Sequence, residues 1–223
     1  MADMMGFGDM DLGDRGGEHR YKYKDAVGQP SSVGPTPSQT VGPFFAYGLT
    51  PGPYGYAHKE IHATSLLPSE SDETQILIEG QVFDGAGVPV HDAIVEIVQA
   101  DSAGNYASAP RNDGFTGFGR CGTGAGGLAA KGGDTHFRFH TVKPGATGDG
   151  QAPFVTVIVT MRGLLNHCIT RLYFPGDQHD DDLVMRQVPQ ERRTTLVAEE
   201  TGPNRYRFDV HMQGERETVF FDL

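Results

Sequence analysis

Thr135-His136-Phe137-Arg138-Phe139-His140-Thr141 is the stretch that decides the fold. Phe137 and Phe139 fall on one side of it and His136, Arg138 and His140 on the other. Successive side chains of a strand point to opposite faces, so strict alternation marks a strand with one buried and one wet face. An amphipathic helix would bring apolar residues back every third or fourth position instead. Moving outward, residues 154–160 (Phe-Val-Thr-Val-Ile-Val-Thr) form a near-continuous apolar run, the signature of a buried strand. Upstream, residues 75–83 lead into Asp84-Gly85-Ala86-Gly87, a turn signal, and residues 93–98 supply the next strand. Residues 168–174, 195–198, 206–212 and 218–221 complete the expected set. One short helix is expected, near residues 181–186, with its acidic residues at the N-terminal end where they suit the helix dipole. Many short strands, frequent turn punctuation and almost no helix predict an all-β, two-sheet β-sandwich.

Composition agrees with that class. The 223 residues include 31 glycines and 14 prolines, above average usage but short of the range of disordered chains. That length suits one domain with a single core, expected over residues 35–223. Residues 1–34 differ: Met-Gly-Asp repetition gives way to mixed charge without periodicity, with too little apolar surface to offset ordering entropy. We expect a disordered tail there. The formal charge of −11 excludes the basic face that nucleic acid or an anionic membrane requires. Two cysteines, Cys121 and Cys168, imply no disulfide framework and suit a reducing compartment. No run is long and apolar enough to span a bilayer, and the N-terminus does not read as a signal peptide. The cytoplasm is the expected location.

Several motifs have plain explanations. Gly122-Thr123-Gly124-Ala125-Gly126-Gly127 matches the dinucleotide fingerprint letter for letter. That fingerprint needs a helix whose N-terminus faces a pyrophosphate, and Leu128-Ala-Ala-Lys-Gly-Gly133 leaves room for none. A glycine-rich loop is the better reading. His136 and His140 share a strand face but stand about 13 Å apart at ~3.3 Å per residue, too far to share an ion. His58 and His62 have i, i+4 spacing, yet the glutamate of His58-Lys-Glu-Ile-His62 is one place late for the zinc-hydrolase pattern. No Ser/His/Asp or Cys/His nucleophile signature is present.

A set of ordered blocks carries a further signal. Thr36-Pro-Ser-Gln-Thr-Val-Gly-Pro-Phe-Phe45, Ile78-Glu-Gly-Gln-Val-Phe-Asp-Gly85, Gln99-Ala-Asp-Ser-Ala-Gly104, Gly117-Phe-Gly-Arg120 and His140-Thr-Val-Lys-Pro-Gly145 are followed by Thr170-Arg-Leu-Tyr-Phe174 and Tyr206-Arg-Phe-Asp-Val210. Gln213-Gly-Glu-Arg-Glu-Thr-Val-Phe-Phe-Asp-Leu223 closes the chain. These blocks resemble the intradiol ring-cleaving dioxygenase family, in the α-type subunit of members that cleave 3,4-dihydroxybenzoate. The resemblance implies pairing with a related β-type chain, higher-order hetero-oligomers, and oxygen-dependent cleavage between the two hydroxyls to 3-carboxy-cis,cis-muconate. It also implies non-haem Fe(III), held by two tyrosines and two histidines of the β-type chain. Phenolate ligands suit the ferric state, and the metal acts as a Lewis acid toward the catecholate.

In this chain the resemblance assigns no metal ligand. Its His-x-His positions fall at Phe154 and Thr156, and Ala146-Thr147 stands where a ligand tyrosine follows Lys-Pro-Gly. Tyr106 is nearby, but one tyrosine is insufficient. What the α-type chain supplies in the family is a wall of the neighbouring active site, and the matching residues are Thr40, Gly42, Pro43 and Phe44, with Arg162 as a cation close to the substrate. Phe44 replaces a tyrosine found at that place in some relatives. Two other classes stay open at this point: a degenerate sandwich serving as a binding module without a catalytic partner, and a self-sufficient dioxygenase with unusual ligands.

Overall fold

Alternation at Phe137 and Phe139 translates directly into burial: both rings are excluded from solvent while His140 is exposed. The computed structural model describes residues 44–57, 64–67, 73–107, 114–124, 135–148 and 150–222. Residues 1–34, read above as a tail, and the His58/His62 pair lie outside the described residues. Ten strands are described: β1 (Gln75–Gly80), β2 (Val82–Phe83), β3 (Ile94–Gln99), β4 (Phe118–Gly122), β5 (Phe137–Val142), β6 (Phe154–Thr160), β7 (Cys168–Tyr173), β8 (Glu199–Gly202), β9 (Arg205–Arg207) and β10 (Val210–His211). They form one four-stranded sheet in the order β5-β1-β9-β8, a second in the order β4-β3-β6-β7, and a two-stranded β10-β2 ribbon. The expected two-sheet, all-β architecture is therefore correct.

The core lies between the two sheets. Ile76, Ile78, Phe137 and Phe139 meet Val95, Ile97, Val155, Val157 and Val159, all nearly or fully buried. The outer side of β6 begins with Phe154, which a second layer covers, and continues with the half-buried Thr156, Ile158 and Thr160. In that layer Phe154 and Tyr173 pack with Met185 and Leu196, from two 3-10 segments, Met185–Gln187 and Gln190–Leu196, and with Val188 between them.

Four strand expectations differ from the structure, and β4 and β8 were not anticipated. The runs 75–83 and 206–212 each split, β1 from β2 and β9 from β10. Both break at one place, where Gly80 lets the Phe208 carbonyl approach and Asp209 Oδ1 accepts the Gln81 N–H at 3.0 Å. A β-carbon on Gly80 would stand 1.9 Å from Phe208 O, so only glycine fits. Residues 218–221 contribute a single bridge, Phe221 to Ile169, rather than a strand. Residues 195–198 end a 3-10 segment instead of forming a strand: Pro189 opens it, and the Thr195 hydroxyl turns back to Arg192 O at 2.8 Å.

The expected helix at 181–186 is a three-residue 3-10 turn, Met185–Gln187. Asp182 is buried there as a multiple acceptor rather than sitting exposed at a helix end. A short helix that the sequence reading did not anticipate, α1, spans Phe44–Leu49. Cys121 and Cys168 are both thiols, on β4 and β7 at opposite edges of one sheet. With strands ~4.8 Å apart, that separation is far beyond disulfide reach. Burial pushes the Cys168 thiol pKa up. Among the described residues, no helix is long and apolar enough to cross a membrane.

Candidate functional site

Strand β3 enters the second sheet beside the end of β6. Ile94 pairs with Thr160 in antiparallel register, so two residues further out Asp92 stands opposite Arg162. The side chains meet as the register dictates: Arg162 donates from Nε and Nη2 to Asp92 Oδ2. The Asp92 side chain is 4% exposed and that of Arg162 52%, so a buried carboxylate holds a side chain that reaches solvent. The segment carrying Asp92 is clamped from the opposite side by Thr123, just past β4. Its hydroxyl donates to Val90 O at 2.7 Å and accepts the Ala93 N–H at 3.0 Å, while its own N–H donates to Ala93 O at 2.9 Å. Beyond Arg162 the chain reverses at Gly163, whose φ of 88° is open to glycine and strained for other residues. A cavity of about 190 Å³ lies against Arg162, lined also by Met161, Leu164 and Met212.

The segment after Pro43 is delivered to the same end of this sheet. Helix α1 closes where Thr50 donates through both its N–H and its hydroxyl to Ala46 O, at 2.9 and 3.0 Å. Thr50 is buried against Gly122, where a β-carbon would stand 3.1 Å from its hydroxyl. One 3-10 turn later (Gly52–Tyr54), the Tyr54 hydroxyl would lie 3.6 Å from a β-carbon on Gly124. Tyr47 meets Tyr54 edge-on at 4.7 Å and lies 6.1 Å from Tyr56, giving a small tyrosine cluster. Burial, then the negative charge of Asp92, then Tyr47 push the Tyr54 pKa up, and Arg162 opposes them. Tyr54 is thus held as a neutral phenol within the field of the Asp92–Arg162 pair.

Of the five sequence-predicted wall residues, Thr40, Gly42 and Pro43 lie outside the described residues. Phe44 is the first residue of α1. Arg162 sits in the turn after β6, at the sheet end that α1 covers. Asp92, Tyr54 and Tyr47 were not anticipated. Asp92 had a usable signal, because once residues 93–98 and 154–160 are paired antiparallel it falls opposite Arg162.

The positions aligned with metal ligands lie elsewhere, on the outer face of β6. Phe154 pairs with Tyr173 and Thr156 with Arg171 across the β6–β7 ladder. The Arg171 guanidinium stacks over the Phe154 ring, 3.9 Å from its centroid, and its Nη1 lies 3.4 Å from the Tyr173 hydroxyl. Burial pushes the Tyr173 phenol up to about 12, against the opposing pull of Arg171, and its hydroxyl donates to Asp182 Oδ1 at 2.9 Å. Burial raises the Tyr106 phenol as well, with Arg171 again opposing. Near this face, a β-carbon on Gly104 would stand 2.0 Å from Ala146 O, so the loop bearing Tyr106 is pressed against residues 145–146.

These residues do not fit a ferric ion. A phenyl ring has no lone pair to offer, and a guanidinium covers the place a cation would need. The buried phenol is kept protonated, whereas a tyrosinate ligand must lose its proton. Among the described residues, no three His, Cys, Asp or Glu side chains are placed to share an ion.

Comparisons with known proteins place the chain by family and fold. Residues 51–214 match a family model described as Dioxygenase. The chain is 48% identical over 200 residues to the protocatechuate 3,4-dioxygenase alpha chain of Burkholderia cepacia, covering 84% of this chain and 97% of that one. It is 31% identical over 164 residues to the beta chain from the same organism, covering 65% and 66%. Among solved structures it resembles the dioxygenase domain of a dioxygenase–carbohydrate-binding protein fusion from Streptomyces sp. SirexAA-E. That match has a TM-score of 0.52 at 24% identity, covers 83% of this chain and 100% of that one, and speaks to the fold. With a family model spanning most of its length and an α-chain relative matched nearly end to end, the chain belongs to the intradiol dioxygenases.

Proposed function

We propose that this chain is the iron-free α subunit of a protocatechuate 3,4-dioxygenase, with residues 35–223 as its working unit in the cytoplasm. Its partner is a β subunit that carries the Fe(III), and the two assemble into a higher-order hetero-oligomer. The iron, when bound to the partner, supplies the Lewis-acid chemistry that primes the catecholate for O2. The contribution of this chain is a wall made by Thr40, Gly42, Pro43 and Phe44, together with Arg162 at the end of β6. A Gly-Pro segment brings backbone groups near a ligand with little side-chain obstruction.

The observation that carries this reading is the Arg162 side chain, whose guanidinium is held on one edge by a buried carboxylate while the side chain stays about half exposed. Protocatechuate carries a carboxylate and gains further negative charge as its hydroxyls deprotonate. A preorganised guanidinium offsets that charge without reorganising. Asp92 balances the net charge of Arg162 but takes only one side of the fork, so N–H donors remain for an anion.

Three measurements test the proposal. The chain purified alone is expected to be colourless and free of iron; stoichiometric iron with visible absorption overturns it. Co-expressed with a β-type chain, the assembly is expected to oxidise protocatechuate. Arg162→Gln in that assembly should retain iron and lose roughly 1.5–3 kcal/mol of transition-state stabilisation, about ten- to a hundred-fold in kcat/KM. Wild-type kinetics in that variant would make Arg162 an ordinary surface cation.

A further inference from the structure

We infer that Asp92 is the positioning residue for Arg162, a buried carboxylate that aims the guanidinium across the subunit wall. This rests on the reading of Arg162 proposed above and deepens it.

The geometry argues against a mere fold staple. Asp92 is 3% exposed, and taking a carboxylate out of water is costly unless its partners repay it. Here the partner is half-exposed, the arrangement in which an ion pair adds little stability. Nor is the pairing the two-oxygen fork that would use both acceptors. Nε and Nη2 of Arg162 converge on Oδ2 alone, and Oδ1 is buried with no hydrogen-bond partner among the described residues. A contact that leaves half of a buried carboxylate unused is poorly designed for stability. It is well designed for direction: side-on engagement of Nε and Nη2 fixes the guanidinium plane and leaves Nη1 uncommitted to Asp92.

Asp92 is itself held rigidly enough for this task. It lies opposite Arg162 in the continued β3–β6 register, and Thr123 pins the residues on either side of it, at Val90 and Ala93. Arg162 has no equivalent clamp, since the chain turns at Gly163 immediately after it. A long side chain on a turn gains a single orientation only if something at the sheet end holds it, and Asp92 does so.

The test uses the assembled enzyme with its iron-bearing β-type partner. Steady-state kinetics on protocatechuate are measured for Asp92→Asn, Arg162→Gln and the double variant, with iron content and thermal midpoint recorded for each. Asp92→Asn is expected to lower kcat/KM about tenfold. In the Arg162→Gln background the same change is expected to alter it less than about twofold, because a residue acting through Arg162 has nothing left to position. A full effect of Asp92→Asn that persists without Arg162 identifies a structural role and overturns the inference. So does wild-type behaviour of Asp92→Asn while Arg162→Gln is impaired, and in that case the reading of Arg162 stands. Wild-type kinetics for Arg162→Gln sinks both. Should Asp92→Asn fail to assemble, Arg162→Lys decides: it keeps the charge but loses the planar edge that Asp92 grips. It is expected to lose as much as Arg162→Gln, and wild-type kinetics in it overturns the inference.

Discussion

Replacing Asp182 by alanine should cost this fold more than any other single change to a polar side chain on the outer face of the second sheet. Asp182 is 1% exposed and accepts four hydrogen bonds. Oδ1 takes the Tyr173 hydroxyl at 2.9 Å, Val184 N–H at 2.8 Å and Met185 N–H at 3.0 Å, and Oδ2 takes Ala152 N–H at 3.0 Å. These contacts join β7, the residue pair before β6 and the 3-10 turn that carries Met185 into the outer-face cluster. Each buried donor left without a partner costs ~1–3 kcal/mol, partly offset by relief of the carboxylate's own desolvation and by water entering the gap. The expected loss for Asp182→Ala is therefore about 3–5 kcal/mol, or roughly 6–20 °C in Tm for a domain of this size. Asp182→Asn keeps one acceptor but turns an amide toward a donor at the other position, and should lose about 1–3 kcal/mol.

A pH series adds a second readout at the same residue. Burial pushes the Asp182 pKa up, but the Met185, Ala152 and Val184 N–H groups and the Tyr173 hydroxyl outweigh it and hold the carboxyl below its ordinary value. The unfolded chain then binds the proton more readily, so stability rises with pH through the window between the two values. The contribution is fully present above the unfolded value of about 3.9 and is lost as pH falls through the lower folded one. The gap between wild type and Asp182→Asn should thus narrow as the pH is taken from about 5 to 3. Urea melts across that range check it. A change of under ~1 kcal/mol for Asp182→Ala at pH 7 would refute the reasoning.

Two further outcomes are expected. Gly80→Ala should abolish folding or cost more than ~3 kcal/mol, because its β-carbon would stand 1.9 Å from a backbone carbonyl and 2.8 Å from the Phe137 ring; an unchanged urea melt refutes it. Restoring histidines at both aligned positions, Phe154→His with Thr156→His, should leave the chain free of metal while Arg171 remains, and stoichiometric metal by elemental analysis refutes that.

Strands were readable wherever side-chain period and burial coincide. Residues 154–160 match β6 end to end because every second side chain meets the opposing sheet. Legibility failed where a backbone contact from far along the chain decides the conformation. Nothing near residue 81 foretells that the Asp209 carboxylate will claim its N–H, and this contact cuts two expected strands at once. It failed again at Thr195, whose β-branched neighbourhood suggests a strand while its hydroxyl turns inward on Arg192 O and holds a 3-10 segment. Helix α1 escaped notice because six residues without acidic or basic end signals carry too little periodicity to read. The candidate site was half legible. Arg162 entered through the family resemblance, while Asp92 emerges only once β3 and β6 are set in register.

Two arginines on the β6–β7 side of this sheet, Arg171 and Arg162, show how one architecture separates scaffold from chemistry. Arg171 stands mid-strand, its guanidinium over the Phe154 ring and its Nη1 beside the buried Tyr173 hydroxyl, so its stabilisation comes from aromatic neighbours. That arrangement fills the outer face of β6 with a cation and so bars another cation from it. Arg162 stands at the end of the neighbouring strand and gains from a carboxylate instead, which leaves its tip accessible. The stacked arginine therefore belongs to the packing of the chain. The paired arginine is the one whose charge a ligand can still reach, and it is there that a substrate anion would register the loss of either partner.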